Sequence, residues 1–383
     1  MDFSSLKIAI IHDWLVSMRG GEKIVENLCE MFPACDIYTL LYHPGSVSPV
    51  IETHKIYTSF VNQLPFKNSK YRYYLPLFPT AIEKFDLKQY DLIISSSHCV
   101  AKGIIPSPDT LHISYIHTPM RYVWDMYHDY FEKDNTNLLI RKLIPFFANY
   151  LRMWDVASAN RVDWFIANSQ HVANRIKKYY GRESTIIHPP VEIDLFSVSE
   201  KNDNYYLIVS ALVPYKRVDL AVQAFNEMKK PLLIVGEGPS LKRLKSLAGP
   251  TIQFVQWQPP TKLSTYYEGC KALIFPGEED FGIIPVEAQL CGKPVIALGK
   301  GGALETIIGF NDHNEKKCTG IFFYEQNVES LIHAVTKFEN RKWDSSFIYA
   351  HAKKFSKVRF KSEMTAFIEG KMEQFLEGKY IKK

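Results

Sequence analysis

The stretch GEEDFGIIPVEAQLCGKPV, residues 277–295, places two glutamates in the spacing E-x7-E, Glu279 and Glu287, around the pair Phe281-Gly282. Just before it runs KALIF, residues 271–275, a short apolar run that reads as a buried strand. Pro285 fits the first turn of a helix, where its missing N–H is not needed. Gly292 fits the end of that helix, and Lys293-Pro294 open a further apolar run, VIALG. Strand, loop, helix and strand in this order is the unit of a parallel sheet. The acidic loop 278–283 therefore falls at the carboxyl end of a strand, where open parallel sheets bind their ligands. A solvated loop leading into a helix is the plainer reading; a site for a hydroxyl-rich, phosphate-bearing ligand is the sharper one.

The same rhythm extends in both directions. KIAIIHD, CDIYTLL, DLIISSS, LHISYIH and DWFIANS read as short buried strands in the first half, alternating with helical patterns such as EKIVENLCEMF and SQHVANRIKKYY. YYLIVSAL, PLLIVGEG, TIQFVQW, KALIFPG, KPVIALG and TGIFFYE repeat it in the second, with RVDLAVQAFNEM and SLKRLKSLAG between them. Continuous apolar strands each followed by a helix predict parallel sheets covered on both faces. The break falls at STIIHPPVEIDLF, residues 184–196, because Pro189-Pro190 suit neither a helix interior nor a central strand. The expectation is an α/β protein of two doubly wound, Rossmann-like domains facing each other across a cleft. Their bounds are 1–188 and 189–345, with a basic helical tail, 346–383, packing back on the first domain.

Composition narrows the class. The chain has 383 residues, 46% hydrophobic and 23% charged, which fits two or three globular domains and argues against disorder. No apolar run approaches the roughly 18 residues of a membrane span. The start, MDFSSLKIAIIHDWLV, reads as a first strand rather than a secretory leader. Cys29, Cys35, Cys99, Cys270, Cys291 and Cys318 are scattered without a C-x-x-C pair or a histidine at zinc-ligand spacing. Free thiols in a reducing cytoplasm are expected. A net charge of +5 is too mild to point to nucleic acid.

Four motifs carry candidate chemistry. In the acidic stretch the amides around Phe281, Gly282 and Ile283 can bond an anion or sugar hydroxyls, and Glu287, in the first turn of its helix, can accept two hydroxyls of a ribose. Glu287 alone could simply complement the helix dipole; Glu279, Phe281-Gly282 and the turn GKGGALE one strand later need more than that. In SALVPYKRVDLAV, Lys216 and Arg217 open a helix at its positive end, a cost of several tenths of a kcal/mol each that a bound diphosphate would offset. Arg217 could instead pair with a surface carboxylate. In HDWLVSMRGGEKIVENL, Gly20-Gly21 precede a helix after the first strand, so backbone amides can approach a phosphate, although the pattern is neither a dinucleotide fingerprint nor a P-loop. In SYIHTPMRYVWDMY, His117 ends a strand of the first domain. No D-x-D is present to hold a divalent metal on a diphosphate, so Lys216 and amides would have to carry its charge.

Together EEDFGIIPVE, GGALE, YKR, RGGEK and HTPMRYVWD resemble glycosyltransferase family 4, and within it the mannosyltransferases that build O-antigen and related bacterial or archaeal polysaccharides. The likeness runs from Lys7 to about Phe338. It implies the two-domain GT-B fold and a retaining reaction that needs no metal and no cofactor. It also implies a nucleotide-sugar donor, most readily GDP-mannose, and a glycan or lipid-linked glycan acceptor. By matching motif, Glu279 and the Phe281 to Ile283 amides would bind the donor sugar, Glu287 the ribose, Lys216 the diphosphate, and Gly20-Gly21 its distal phosphate. His117 would contact the transferred sugar. The chain departs from many relatives at Ala211, where they carry an arginine; Arg217 would have to substitute.

Asp13, Arg19, Tyr122, Trp124 and Asp125 are acceptor-side candidates, since carboxylates and aromatic faces bind sugars, and Trp124 could equally be core. In FKNSKYRYYLPLFP, residues 66–79, Lys67, Lys70 and Arg72 interleave with aromatic residues. That pattern suits an anionic membrane surface, placing the enzyme in the cytoplasm or peripherally on the membrane, or an ordinary helix with a wet face. A nucleotide-sugar epimerase of the same fold and a catalytically silent binding subunit are the rival classes; Ala211 favours the second.

Overall fold

The computed structural model describes residues 3–125, 127, 138–311 and 317–380. The chain divides into two compact units, Met1–Pro189 with Phe360–Lys383, and Pro190–Arg359.

The first unit is built on β1 (Ile8–His12), β2 (Asp36–Thr39), β3 (Ile56–Thr58), β4 (Leu92–Ser97), β5 (Leu111–Ile116), β6 (Trp164–Ala167) and β7 (Ser184–Ile186). They form one parallel sheet in the order β3-β2-β1-β4-β5-β6-β7. Side chains alternate between its faces, as the pleat requires. Ile8, Ile10, Ile37, Leu92 and Ile94 join one core with Ile24, Val25 and Leu28 of the helix Gly20–Met31. Ala9, Ile11, Tyr38 and Ile93 join a second core on the opposite face with Phe78, Ala148 and Leu151. Burial on both faces is why these strands are continuous apolar runs.

The second unit repeats the plan with β8 (Tyr205–Val209), β9 (Leu232–Val235), β10 (Ile252–Val255), β11 (Cys270–Phe275), β12 (Val295–Leu298) and β13 (Gly320–Phe323). All pairs are parallel, in the order β10-β9-β8-β11-β12-β13. Both sheets reverse their winding direction once, between β1 and β4 and between β8 and β11. At such switch points the flanking loops diverge and leave a ligand-sized crevice at the strand ends.

Every strand read from the sequence contains a strand. Two were not expected: the edge strands β3 and β7 have three residues each and no fully buried position, so no apolar run marks them. β7 also shows that Ser184–Ile186 belong to the first sheet rather than to the linker; Pro189 and Pro190 stand at the division itself. The tail divides later than residue 346. The helix Ser345–Ala352 stays with the second unit, where Ala352 and Phe355 are core. In the final helix, Lys357–Tyr380, residues from Phe360 onward belong to the first unit, and Phe360, Met364, Ile368 and Met372 enter its core at a four-residue spacing that keeps them on one helix face. Lys361 adds an ion pair to Glu30 at 2.6 Å.

Candidate active site

In the second unit the candidate residues gather at the β8/β11 switch point. After β8, the short 3-10 turn Pro214–Lys216 presents Lys216, whose ammonium pairs with the Glu279 carboxylate from the loop after β11. Their side chains are only 20% and 17% exposed. Glycines bring the loops this close. A Cβ on Gly277 would lie 3.0 Å from the Lys216 Cα, and one on Gly302 would lie 2.3 Å from the Phe281 Cα. The Gly302 amide donates to the Glu279 carbonyl at 2.8 Å, so the GKGGALE turn props the acidic loop from behind. Gly236 and Gly238 let the turn after β9 back onto Ser210 and Leu212, and the Leu212 amide donates to the Glu237 carbonyl at 2.8 Å. This GEG turn was legible as a glycine-rich strand end, yet the motif reading passed over it.

Gly282 takes φ +95° as N-cap of the helix Ile283–Leu290, a left-handed conformation that favours glycine. The amides of the helix's first turn lack i−4 carbonyl partners within the helix, which is the anion-binding geometry expected there. The Phe281 ring is buried against Phe355 at 5.5 Å, which leaves its backbone as the part that could meet a ligand. Glu287, expected in the helix's first turn, is the fifth residue of the helix and so lies just past that turn. The Tyr267 hydroxyl donates to it at 2.7 Å, and burial pushes its pKa up to about 7, against the lowering effect of that hydrogen bond. A carboxyl that is half protonated near neutrality is poised to ionise when hydroxyl donors arrive.

Arg217 does not replace the arginine missing at Ala211. It is the N-cap of the helix Val218–Met228 in a left-handed conformation, and its guanidinium reaches Asp219 at 3.3 Å and Gln326 at 3.2 Å. The carboxylate partner considered for it is therefore Asp219. Lys216 is the cation that faces Glu279, and Ala211 is exposed on the same strand-end loop.

In the first unit a buried polar group occupies the β1/β4 switch point. His12 ends β1 and His117 follows β5, and the Ser96 hydroxyl bridges them, 3.1 Å from His12 Nδ1 and 2.8 Å from His117 Nε2. His12 Nδ1 also donates to the Ser96 carbonyl at 2.9 Å. Burial lowers the His12 pKa, but the Glu22 carboxylate, 3.8 Å from Nε2, acts with Asp13 and the Ser96 carbonyl to hold it above its usual value. Burial, with the rings of His98 and His12 nearby, holds His117 well below its ordinary range, so it is neutral at pH 7. Gly20 and Gly21 open the helix beside them. A Cβ on Gly21 would lie 3.2 Å from the His12 Cε1 and 3.7 Å from His117 Nε2, so a side chain there would press on the His12 ring. His12, Glu22, Ser96 and His98 were not singled out from the sequence; polar residues ending buried runs, as in IIHD and ISSSH, are the signal that marks them.

The acceptor-side candidates separate. Asp13 is fully buried and accepts from the amides of His98, Cys99, Val100 and Ala101 at 2.6–2.9 Å, which fixes the loop after β4 and leaves no oxygen for a sugar. Trp124 stacks on Tyr179 at 4.6 Å and donates to the buried Asp155 at 2.8 Å, a packing role. Tyr122 has its hydroxyl beside the Cys99 thiol, and burial raises its pKa well above the usual range. Asp125 pairs with Arg175 and Tyr179. Arg19 is exposed and caps the glycine-opened helix, its amide donating to Glu22 at 3.0 Å. Of the five, Arg19 keeps an outward-facing side chain beside Gly20-Gly21.

All six cysteines are unbridged and buried. The fold does bring Cys29, Cys35 and His54 within 4.8 Å of one another, a proximity that sequence spacing did not show.

Residues 18–195 match the family described as Glycosyltransferase Family 4, and residues 192–356 match Glycosyl transferases group 1. An uncharacterized glycosyltransferase of Methanocaldococcus jannaschii is 24% identical over 201 residues, 51% of this chain and 55% of that protein. A D-inositol 3-phosphate glycosyltransferase of Mycobacterium tuberculosis is 25% identical over 169 residues, 37% of this chain and 35% of that protein. The chain thus spans about half or less of the length of these relatives. Among solved structures, Anabaena HepE in complex with UDP and glucose superposes with a TM-score of 0.66 at 16% identity, covering 95% of this chain and 99% of that one. A lipopolysaccharide outer core galactosyltransferase in its apo form gives 0.62 at 14% identity, covering 96% and 100%. Two parallel-sheet, Rossmann-like domains with these neighbours define the α/β GT-B class. The two family matches together run from residue 18 to residue 356, so each half of this chain is similar to glycosyltransferases.

Proposed function

We propose that the protein transfers a hexose from a nucleotide-diphosphate sugar to a hydroxyl of a glycan or lipid-linked glycan, with retention and without a metal, in cell-surface polysaccharide synthesis. The observation that carries this reading is the Lys216–Glu279 pair held at the β8/β11 switch point beside a glycine-capped helix start. Lys216 would leave Glu279 for the donor diphosphate and stabilise the charge that develops as the glycosidic C–O bond breaks, an effect worth about 3 kcal/mol per donor group. Glu279 would then accept hydroxyls of the donor sugar, and Glu287 those of the ribose. Among the described residues no second carboxylate is placed as an obvious covalent nucleophile, which supports a front-face route. There the leaving phosphate oxygen takes the acceptor's proton while the acceptor oxygen forms the new bond to the anomeric carbon. Neutral His117, held by Ser96, would orient the transferred sugar without adding charge.

The donor we assign is GDP-mannose, on the resemblance of the motifs to mannosyltransferases. The structure of HepE in complex with UDP-glucose favours a second reading, UDP-glucose as donor. A panel of GDP- and UDP-sugars, read by thermal shift and by slow donor hydrolysis, decides between them. GDP-mannose is expected to give the largest shift and to release GDP, and Glu279→Ala is expected to abolish that release. Turnover that yields an altered nucleotide sugar without any acceptor would mark an epimerase instead. Neither shift nor hydrolysis with any donor would mark a silent subunit.

A further inference from the structure

The helix Leu138–Ala159 presents one face to the core of the first unit, through Ala148, Leu151 and Asp155. Its opposite face is apolar as well. Leu143, Phe146, Phe147, Tyr150 and Met153 recur at the three- and four-residue spacing of a single helical stripe. Phe146 is 75% exposed and Met153 60%. A solvent-facing stripe of this kind is the reverse of what a helix on a globular surface normally shows.

A second apolar surface belongs to the same core. Tyr71 and Phe78 anchor the segment Lys67–Glu83 in the cluster that holds Ala148 and Leu151, while Phe66 and Tyr73 stand 70% and 75% exposed. The two elements are also joined directly, the Trp154 indole donating to Glu83 at 2.8 Å. Their charge is one-sided. No acidic residue occurs between Glu52 and Glu83, where Lys55, Lys67, Lys70 and Arg72 lie, nor from Leu138 to Trp154, where Lys142 and Arg152 lie. Among the described residues no helix is long and apolar enough to cross a membrane.

We infer that the exposed stripe Leu143–Met153, together with the cationic segment Lys67–Arg72 anchored in the same core, seats the first unit on the surface of an anionic lipid bilayer. Aromatic and aliphatic side chains enter the interface, and the lysines and arginines meet the phosphates of the headgroups. A second copy of this chain fits less well, because a two-fold contact would oppose lysine and arginine to lysine and arginine with no carboxylate in either segment. The inference deepens the transferase reading by naming where a lipid-linked acceptor would be met, but its evidence is the surface itself.

The test uses the full chain with vesicles of phosphatidylcholine, alone and mixed with phosphatidylglycerol, at low and high salt. Sedimentation with the anionic vesicles only, weakened by salt, is the expected result. Phe146→Glu with Phe147→Glu should cut binding by about tenfold or more, at an unchanged melting temperature and unchanged hydrolysis of soluble donor. Lys70→Gln with Arg72→Gln should weaken binding and flatten its salt dependence. No binding to anionic vesicles at low salt, or a double glutamate variant that binds like the wild type, overturns the inference. So does a wild-type dimer that this variant converts to monomer, since a second copy would then cover the stripe. Donor hydrolysis that fails while vesicle binding persists would count against the transferase reading and leave the membrane surface standing.

Discussion

Lys216 and Glu279 neutralise each other in a mostly buried setting, and in the proposed reaction that bond would open for the donor diphosphate. Lys216→Ala is therefore expected to slow donor cleavage on the order of 10²-fold, with the fold retained, as measured by nucleotide release. Near-normal turnover would remove Lys216 from the reaction. Glu287 supplies a pH test. Its pKa in the fold, about 7, lies above the ordinary 4.5, so the folded protein holds an extra proton between those values and its contribution to stability declines as pH rises through that window. Donor binding should run the other way, because ribose hydroxyls donate to the ionised carboxylate. Donor affinity is expected to rise as pH climbs through about 7, and Glu287→Gln should flatten that rise in a calorimetric titration. An equally steep pH profile in the variant would assign the proton elsewhere.

At the scale of elements, the site is a set of strand-end loops held together by glycines. The GKGGALE turn matters because Gly302 packs backbone against the Phe281 backbone. A methyl group there has no flexible side chain to displace, so Gly302→Ala should cost about 1–3 kcal/mol. It should also lower the melting temperature of the second unit and erase the donor-induced thermal shift. A variant with both properties intact would show that the acidic loop does not depend on that prop. Strand and helix placement was legible from sequence, since apolar runs and glycine or proline boundaries report local structure directly. The edge strands escaped because a half-buried strand of three residues leaves no pattern, and Glu287 was placed in the first turn rather than just past it because the helix start rests on the φ of Gly282.

On the scale of the whole molecule, the chain's end completes a core begun at its start. Met364 and Ile368 lie in one cluster with Ile8, Ile10 and Leu28. Ile368→Ala is expected to destabilise the first unit by about 2–5 kcal/mol, read as a lower melting transition in calorimetry. Deletion of 360–383 removes four buried side chains at once and should leave no cooperative transition for that unit. A truncated chain that melts like the full one would show that the helix is an accessory.

The sequence by itself determined the alternation of strands and helices, the α/β class, and the glutamates, lysine, glycines and histidine worth testing, because each of these is carried by neighbours a few residues apart. Tertiary structure decided which of them share a site. Only the sheet order sets β8 beside β11 and so pairs Lys216 with Glu279 across sixty-odd residues of chain. Only folding turns Asp13 inward onto four amides, sends Arg217 to Gln326, and joins His12 to His117 through Ser96. The physical reason is the same in each case: a side chain's role depends on which buried or charged group lies opposite it, and that partner is chosen by long-range packing rather than by local spacing.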